Sequence, residues 1–173
     1  MSIVKIRYTD GTWINICSCK LMQSGGTWSN AIKNGDKILY NGVWVTVDCI
    51  VVTPCGGVNA FDGGQSYPSQ QIITLGSGLG LVTLNYDSVS VPDKFQVFFN
   101  NALVINTGYR GDVSHQPALD TELASRGLPS ELINSPGSGI ITFNKTTNHS
   151  TAIVKVFAPL SGTAWSYTLS CPV

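Results

Sequence analysis

Apolar and polar residues alternate with a period of two through most of the second half of the chain. The segments "IITLG" (72–76), "LGLVTLNYD" (79–87), "KFQVFFN" (94–100) and "ALVINTG" (102–108) are short, rich in β-branched and aromatic residues, and bounded by Gly, Pro or Asn. Each reads as a strand. In "FQVFF", Phe95, Val97 and Phe99 share one face while Gln96 and Phe98 share the other, as a sheet with one mainly buried face requires. Asn100-Asn101 is placed to make a tight hairpin. The stretch "HQPALDTELASRGLPSELI" (115–133) breaks the alternation and reads either as one short helix ended by Gly127 or as an irregular excursion. Strand signals resume at "SGIITFNK", "TAIVKVFAP" and "TAWSYTLSC". Strands at this spacing predict an all-β protein, an antiparallel β-sandwich with jelly-roll or Greek-key connections.

The N-terminal part carries an internal echo. Ile6 to Cys17 aligns with Ile38 to Cys49 if one residue is dropped at the turn. Both copies read as hairpins turned at Asp10-Gly11 and Asn41-Gly42, with Trp13 and Trp44 just after the turns. Trp28 and a further turn at Asn34-Gly35 lie between them, so residues 1–53 predict a small β-meander suited to anchoring. Residues 54–70 are dense in Gly and Pro without periodicity and read as a linker, which leaves 71–173 for the sandwich.

Composition narrows the function. The formal net charge is zero and charged residues make up 12% of the 173, so Ser, Thr, Asn and Gly must supply most of the polar surface. Lys and Arg are scattered singly, and no basic stripe is available to neutralise nucleic-acid phosphates. No apolar stretch reaches membrane-spanning length, which predicts no membrane insertion. The opening "MSIVKIRYTDG" shows no basic start followed by an apolar run, so a secretory signal is not expected. Five cysteines leave at least one unpaired. Cys17, Cys19, Cys49 and Cys55 lack the Cys-x-x-Cys knuckles of a zinc ribbon, and the expectation is reduced, buried thiols acting as small apolar side chains.

Catalytic chemistry is sparse. His115 and His149 stand in polar contexts, "GxSxG" is absent, and "GSGLG" (76–80) lacks the following helix and lysine of a nucleotide loop. Loop-associated carboxylates are Asp62, Asp87, Asp93, Asp112, Asp120, Glu122 and Glu131. As an acid/base pair they would serve a glycan hydrolase, but no constellation singles out two of them. Calcium suits loop carboxylates at the end of a sandwich better, with Asp93, Asp112 and Asp120 as candidates; no other cofactor is indicated. Among the aromatics, Trp165 and Tyr167 alternate with Ser166 and read as core, whereas Tyr109 is the best surface candidate beside Tyr67. Tyr109 belongs to "NTGYRGD" (106–112), whose last three letters match an integrin-binding tag. In context Gly108 and Gly111 bracket a sharp exit from a strand, with Asp112 placed to cap the turn or bind an ion. Tyr109, Arg110, Asp112 and His115 are therefore the candidate binding residues, at the start of a long loop, 108–136.

Two blocks, "GLVTLNYDSVSVPDKFQVFFNNALVINTGYRGD" (80–112) and "SPGSGIITFNKTTNHSTAIVKVFAPLSGTAWSYTLSCP" (135–172), together resemble a β-sandwich domain that recurs in bacteriophage tail-fibre, spike and capsid-decorating proteins. The resemblance rests on "VPDKFQV", "NTGYRGD" and "APLSGTAWSYTLSC" in that order and brings no catalytic residues. It implies a non-enzymatic virion structural protein, assembled in the host cytoplasm and released by lysis. Other capsid or tail proteins would be its partners, in a homo-oligomer such as a trimer. The alternative is a carbohydrate- or receptor-binding module for host attachment, reaching a host-surface glycan through Tyr109 to His115.

Overall fold

The computed structural model describes residues 4–7, 13–16, 21–22, 28–29, 37–40, 43–46, 52–62 and 66–173. Two units divide the chain, Met1–Val52 and Thr53–Val173. In the first, β1 (Val4–Arg7) pairs antiparallel with β2 (Trp13–Ile16), β3 (Leu21–Met22) with β4 (Trp28–Ser29), and β5 (Lys37–Tyr40) with β6 (Val43–Thr46). The sequence echo is kept in the register: Trp13 lies opposite Arg7 and Trp44 opposite Leu39. The three Asn-Gly and Asp-Gly turns, Cys17, Cys19 and Cys49 lie outside the described residues.

The second unit is the all-β sandwich. Its strands are β7 (Val52–Pro54), β8 (Val58–Asp62), β9 (Ser66–Thr74), β10 (Gly80–Asp87), β11 (Asp93–Phe99), β12 (Ala102–Arg110), β13 (Ile133–Asn134), β14 (Ser138–Lys145), β15 (Thr151–Ala158) and β16 (Ala164–Leu169). One sheet has the order β13-β12-β11-β15-β9-β7 and the other β14-β10-β16-β8. All pairs for which a register is defined are antiparallel except β12 with β13. One short α-helix, α1 (Gln116–Ser125), fills the excursion, and Gly127 follows it at φ +68°. Among the described residues no helix is long and apolar enough to cross a membrane.

Alternation puts one face of each sheet into a shared core. Phe95, Val97 and Phe99 of β11 and Val154 and Val156 of β15 face Val82, Leu84 and Tyr86 of β10 and Trp165, Tyr167 and Leu169 of β16, all buried. Phe95 sits at the centre, edge-on to Trp165 and Tyr167 with centroids 6.4 Å away in each case. The Asn100-Asn101 hairpin closes with Phe99 opposite Ala102, both asparagines at positive φ, as a two-residue primed turn demands.

Two expectations are corrected. Residues 54–70 are not a linker: they hold β8, the start of β9 and the end of β7, so the sandwich begins near residue 53. Their prolines misled the reading, because Pro54 ends an edge strand and Pro68 falls where the β9–β15 register slips, the two places a strand tolerates proline. The cysteines are not all reduced either, since Cys55 and Cys171 form a disulfide with Cα atoms 5.0 Å apart. The amide of Gly56 donates to the carbonyl of Leu169 at 2.8 Å, which draws the turn after β7 against the C-terminal tail. This pairing spans 116 residues, so sequence spacing gave no sign of it.

Candidate functional site: loop corner and open sheet face

The Arg-Gly-Asp segment is a rigid corner between β12 and α1. A bulge precedes it: Thr107 and Gly108 together oppose Phe95, with Gly108 at φ +63°. The Thr107 hydroxyl accepts the Phe95 N–H at 2.9 Å, restoring the ladder bond that the extra residue removes. The bulge also turns Tyr109 to the outer side of the six-stranded sheet, opposite Lys94. From there the backbone is held residue by residue. The Ser88 hydroxyl donates to the Arg110 carbonyl at 2.5 Å, the Ser135 hydroxyl to the Gly111 carbonyl at 3.0 Å, and the Asp112 N–H to the Ser90 carbonyl at 2.9 Å.

The predicted binding residues separate at this corner. Tyr109, expected at the surface, is fully buried in a second small core with Leu119, Leu123 and Ile133, because α1 lies over the position that the bulge exposes. Burial pushes its phenol well above the ordinary range, and Tyr67 and Glu131 act in the same direction. Arg110 is half-buried and its Nε donates to the Thr107 carbonyl at 2.9 Å. Asp112 is exposed and accepts the Ser114 N–H at 2.8 Å, capping the 3-10 turn Val113–His115; that bond holds its carboxyl below the usual range. His115 is half-buried at the junction of this turn with α1.

The three calcium candidates are equally dispersed in role. Asp93 is fully buried and takes the Thr163 hydroxyl at 2.9 and 2.8 Å to its two oxygens; burial raises its pKa to about 7 against the opposing effect of that bond. Asp120 accepts from Gln116 at 2.9 Å and Ser130 at 2.6 Å, fastening α1 to the chain that returns into β13. Asp112 is the cap already described. No group of three or more His, Cys, Asp or Glu among the described residues is disposed as a metal site.

Tyr67, Tyr109 and Phe157 do gather as a platform would, but the protein's own cations occupy it. The Lys94 ammonium lies 4.8 Å from the Tyr109 ring centre and 5.1 Å from that of Phe157, and pairs with Glu131 at 2.6 Å. The Arg126 guanidinium lies 4.4 Å from the centre of Tyr67.

What remains open is the outer face of the four-stranded sheet. Two adjacent rungs cross it: Ser138, Asp87, Ser166 and Ala60, then Ile140, Asn85, Thr168 and Val58. A shallow depression of about 260 Å³ is lined by Val58, Asn85, Asp87, Ser138, Ser166 and Thr168, together with the buried Tyr86 and Tyr167. Val58, 75% exposed, is the apolar side chain at its edge, and Ile140, 68% exposed, stands at the other end of the same rung on β14. The Asp87 Oδ1 accepts the Val89 N–H at 2.8 Å, which fixes the carboxylate at the rim. Sequence reading placed Asp87 among the loop carboxylates and passed over its neighbours. The available signal was the run of outward positions 83, 85, 166 and 168, all hydroxyl or amide, on the solvated side of an antiparallel sheet.

No known protein family, curated protein or solved structure matches the chain.

Proposed function

We propose that the chain is a non-enzymatic structural component of a bacteriophage particle, a spike, fibre or capsid decoration whose sandwich is the displayed module and whose N-terminal hairpins attach it. The observation that supports this reading most is the open face of the four-stranded sheet. Outward positions on β10, β14 and β16 carry Thr83, Asn85, Ser138, Thr142, Asn144, Ser166 and Thr168, and Asp87 is their one ionisable side chain among the described residues. Such a face makes contacts through hydroxyls, amides and aliphatic flanks, which salt barely screens. It suits an external contact surface better than a charged substrate. The Cys55–Cys171 bridge adds a covalent lock of the kind that persists in oxidising surroundings, as a released particle would meet them.

Mass spectrometry of gradient-purified particles from the producing host tests the reading. Peptides of this chain are expected at a stoichiometry comparable with other structural proteins, and their absence from intact particles would refute it.

A further inference from the structure

We infer that the depression on the four-stranded sheet is a binding site for one neutral pyranose ring of a glycan. The inference rests on the reading of this face as the contact surface and gives that surface a ligand class. Four features converge on this chemistry. The floor offers an amide (Asn85), three hydroxyls (Ser138, Ser166, Thr168) and one carboxylate (Asp87). That is a mixed donor and acceptor set for vicinal hydroxyl groups, which also donate and accept. Asp87 Oδ1 is committed to the Val89 amide, so its Oδ2 is the acceptor left for a ligand hydroxyl.

Shape agrees with this set. Ser138, Ser166 and Ala60 are small and keep one rung low, while Val58 and Ile140 rise at opposite ends of the next rung, three strand spacings apart. At about 4.8 Å per spacing the two stand roughly 14 Å apart, wide enough for one ring to lie on the rung between them, with Val58 as the apolar wall of the depression itself. The volume of about 260 Å³ lies just under the range of about 300–1,000 Å³ for drug-sized ligand pockets, in keeping with a single ring. Charge selects among sugars: the only carboxylate lining the depression is that of Asp87, with no Lys or Arg beside it, which disfavours sialic or uronic acids and phosphates.

The test is a titration of the full chain, followed through its backbone amide NMR signals, with the methyl pyranosides of glucose, galactose, mannose and N-acetylglucosamine. At least one is expected to shift the Asn85, Asp87, Ser166 and Thr168 amides saturably, with a dissociation constant in the millimolar range. Ser166→Leu fills the floor from an exposed-face position and is expected to weaken binding tenfold or more, while amide signals elsewhere and the melting temperature stay unchanged. Asn85→Ala should weaken it about fivefold. Absence of a saturable shift with all four sugars overturns the inference, as does binding that survives Ser166→Leu or tighter binding of N-acetylneuraminate. Because the titration uses the isolated chain, a negative result with the chain present in particles overturns the ligand class and leaves particle residence standing.

Discussion

Gly111 sits where no side chain fits. A Cβ there would come within 2.8 Å of the Pro92 Cα and the Ser90 carbonyl oxygen, both backbone atoms with little room to move. Gly111→Ala is therefore expected to destabilise the sandwich by about 1–3 kcal/mol, as overpacking does, read as a lower urea midpoint at unchanged slope. Asp93 carries a different liability. Its folded-state pKa of about 7 exceeds the ordinary 3.8, so the folded chain holds the proton more tightly than the unfolded one. Stability from this residue is full below about pH 4 and falls as pH rises to about 7, by an amount on the order of 4 kcal/mol. Asp93→Asn keeps an acceptor for Thr163 and removes the charge. Urea denaturation from pH 4 to 8 should show the wild-type slope flattened in this variant, and equal slopes would contradict the assignment.

At the scale of elements, the β12 bulge is what separates the tyrosine from the surface. Without the extra residue Tyr109 would fall on the opposite side of its strand, since one step of register inverts every side chain. Thr107 sustains the bulge through its bond to the Phe95 amide. Thr107→Val is nearly the same size and leaves that buried N–H unpaired, for an expected loss of about 1–3 kcal/mol in a denaturation midpoint. Strands β10 to β12 and β14 to β16 were legible because burial on one face imposes a period of two, and the Asn100-Asn101 turn because positive φ favours asparagine. The bulge was not, because no residue type in "VINTGYRGD" fixes which position is extra. Strands β7 and β8 were hidden for another reason: β8 is an edge strand with Val58 and Ala60 outward, so it lacks the apolar alternation that marks its neighbours. Of the candidate site, Asp112 as a cap followed from local chemistry. The open face needed four strands brought side by side.

For the whole sandwich, the disulfide is the widest constraint. It joins positions 116 residues apart and closes nearly the entire unit. A loop of that size is worth about 4–5 kcal/mol in chain entropy, with measured losses of about 2–5 kcal/mol when a native bridge is removed. Cys171→Ser, compared with the oxidised wild type by thermal melting, should fall within that range, and the same reductant that lowers the wild-type transition should leave the variant's unchanged. An unchanged wild-type transition under reduction would show that hydrogen bonds such as Gly56 to Leu169 carry the closure alone. In the proposed particle the open sheet face meets the outside. A density map of the intact particle tests it most directly. The sandwich is expected on the exterior with Val58, Asn85, Asp87 and Ile140 facing away from the particle body. A map with that face sealed beneath a neighbouring subunit, or with no density for the chain, would contradict it.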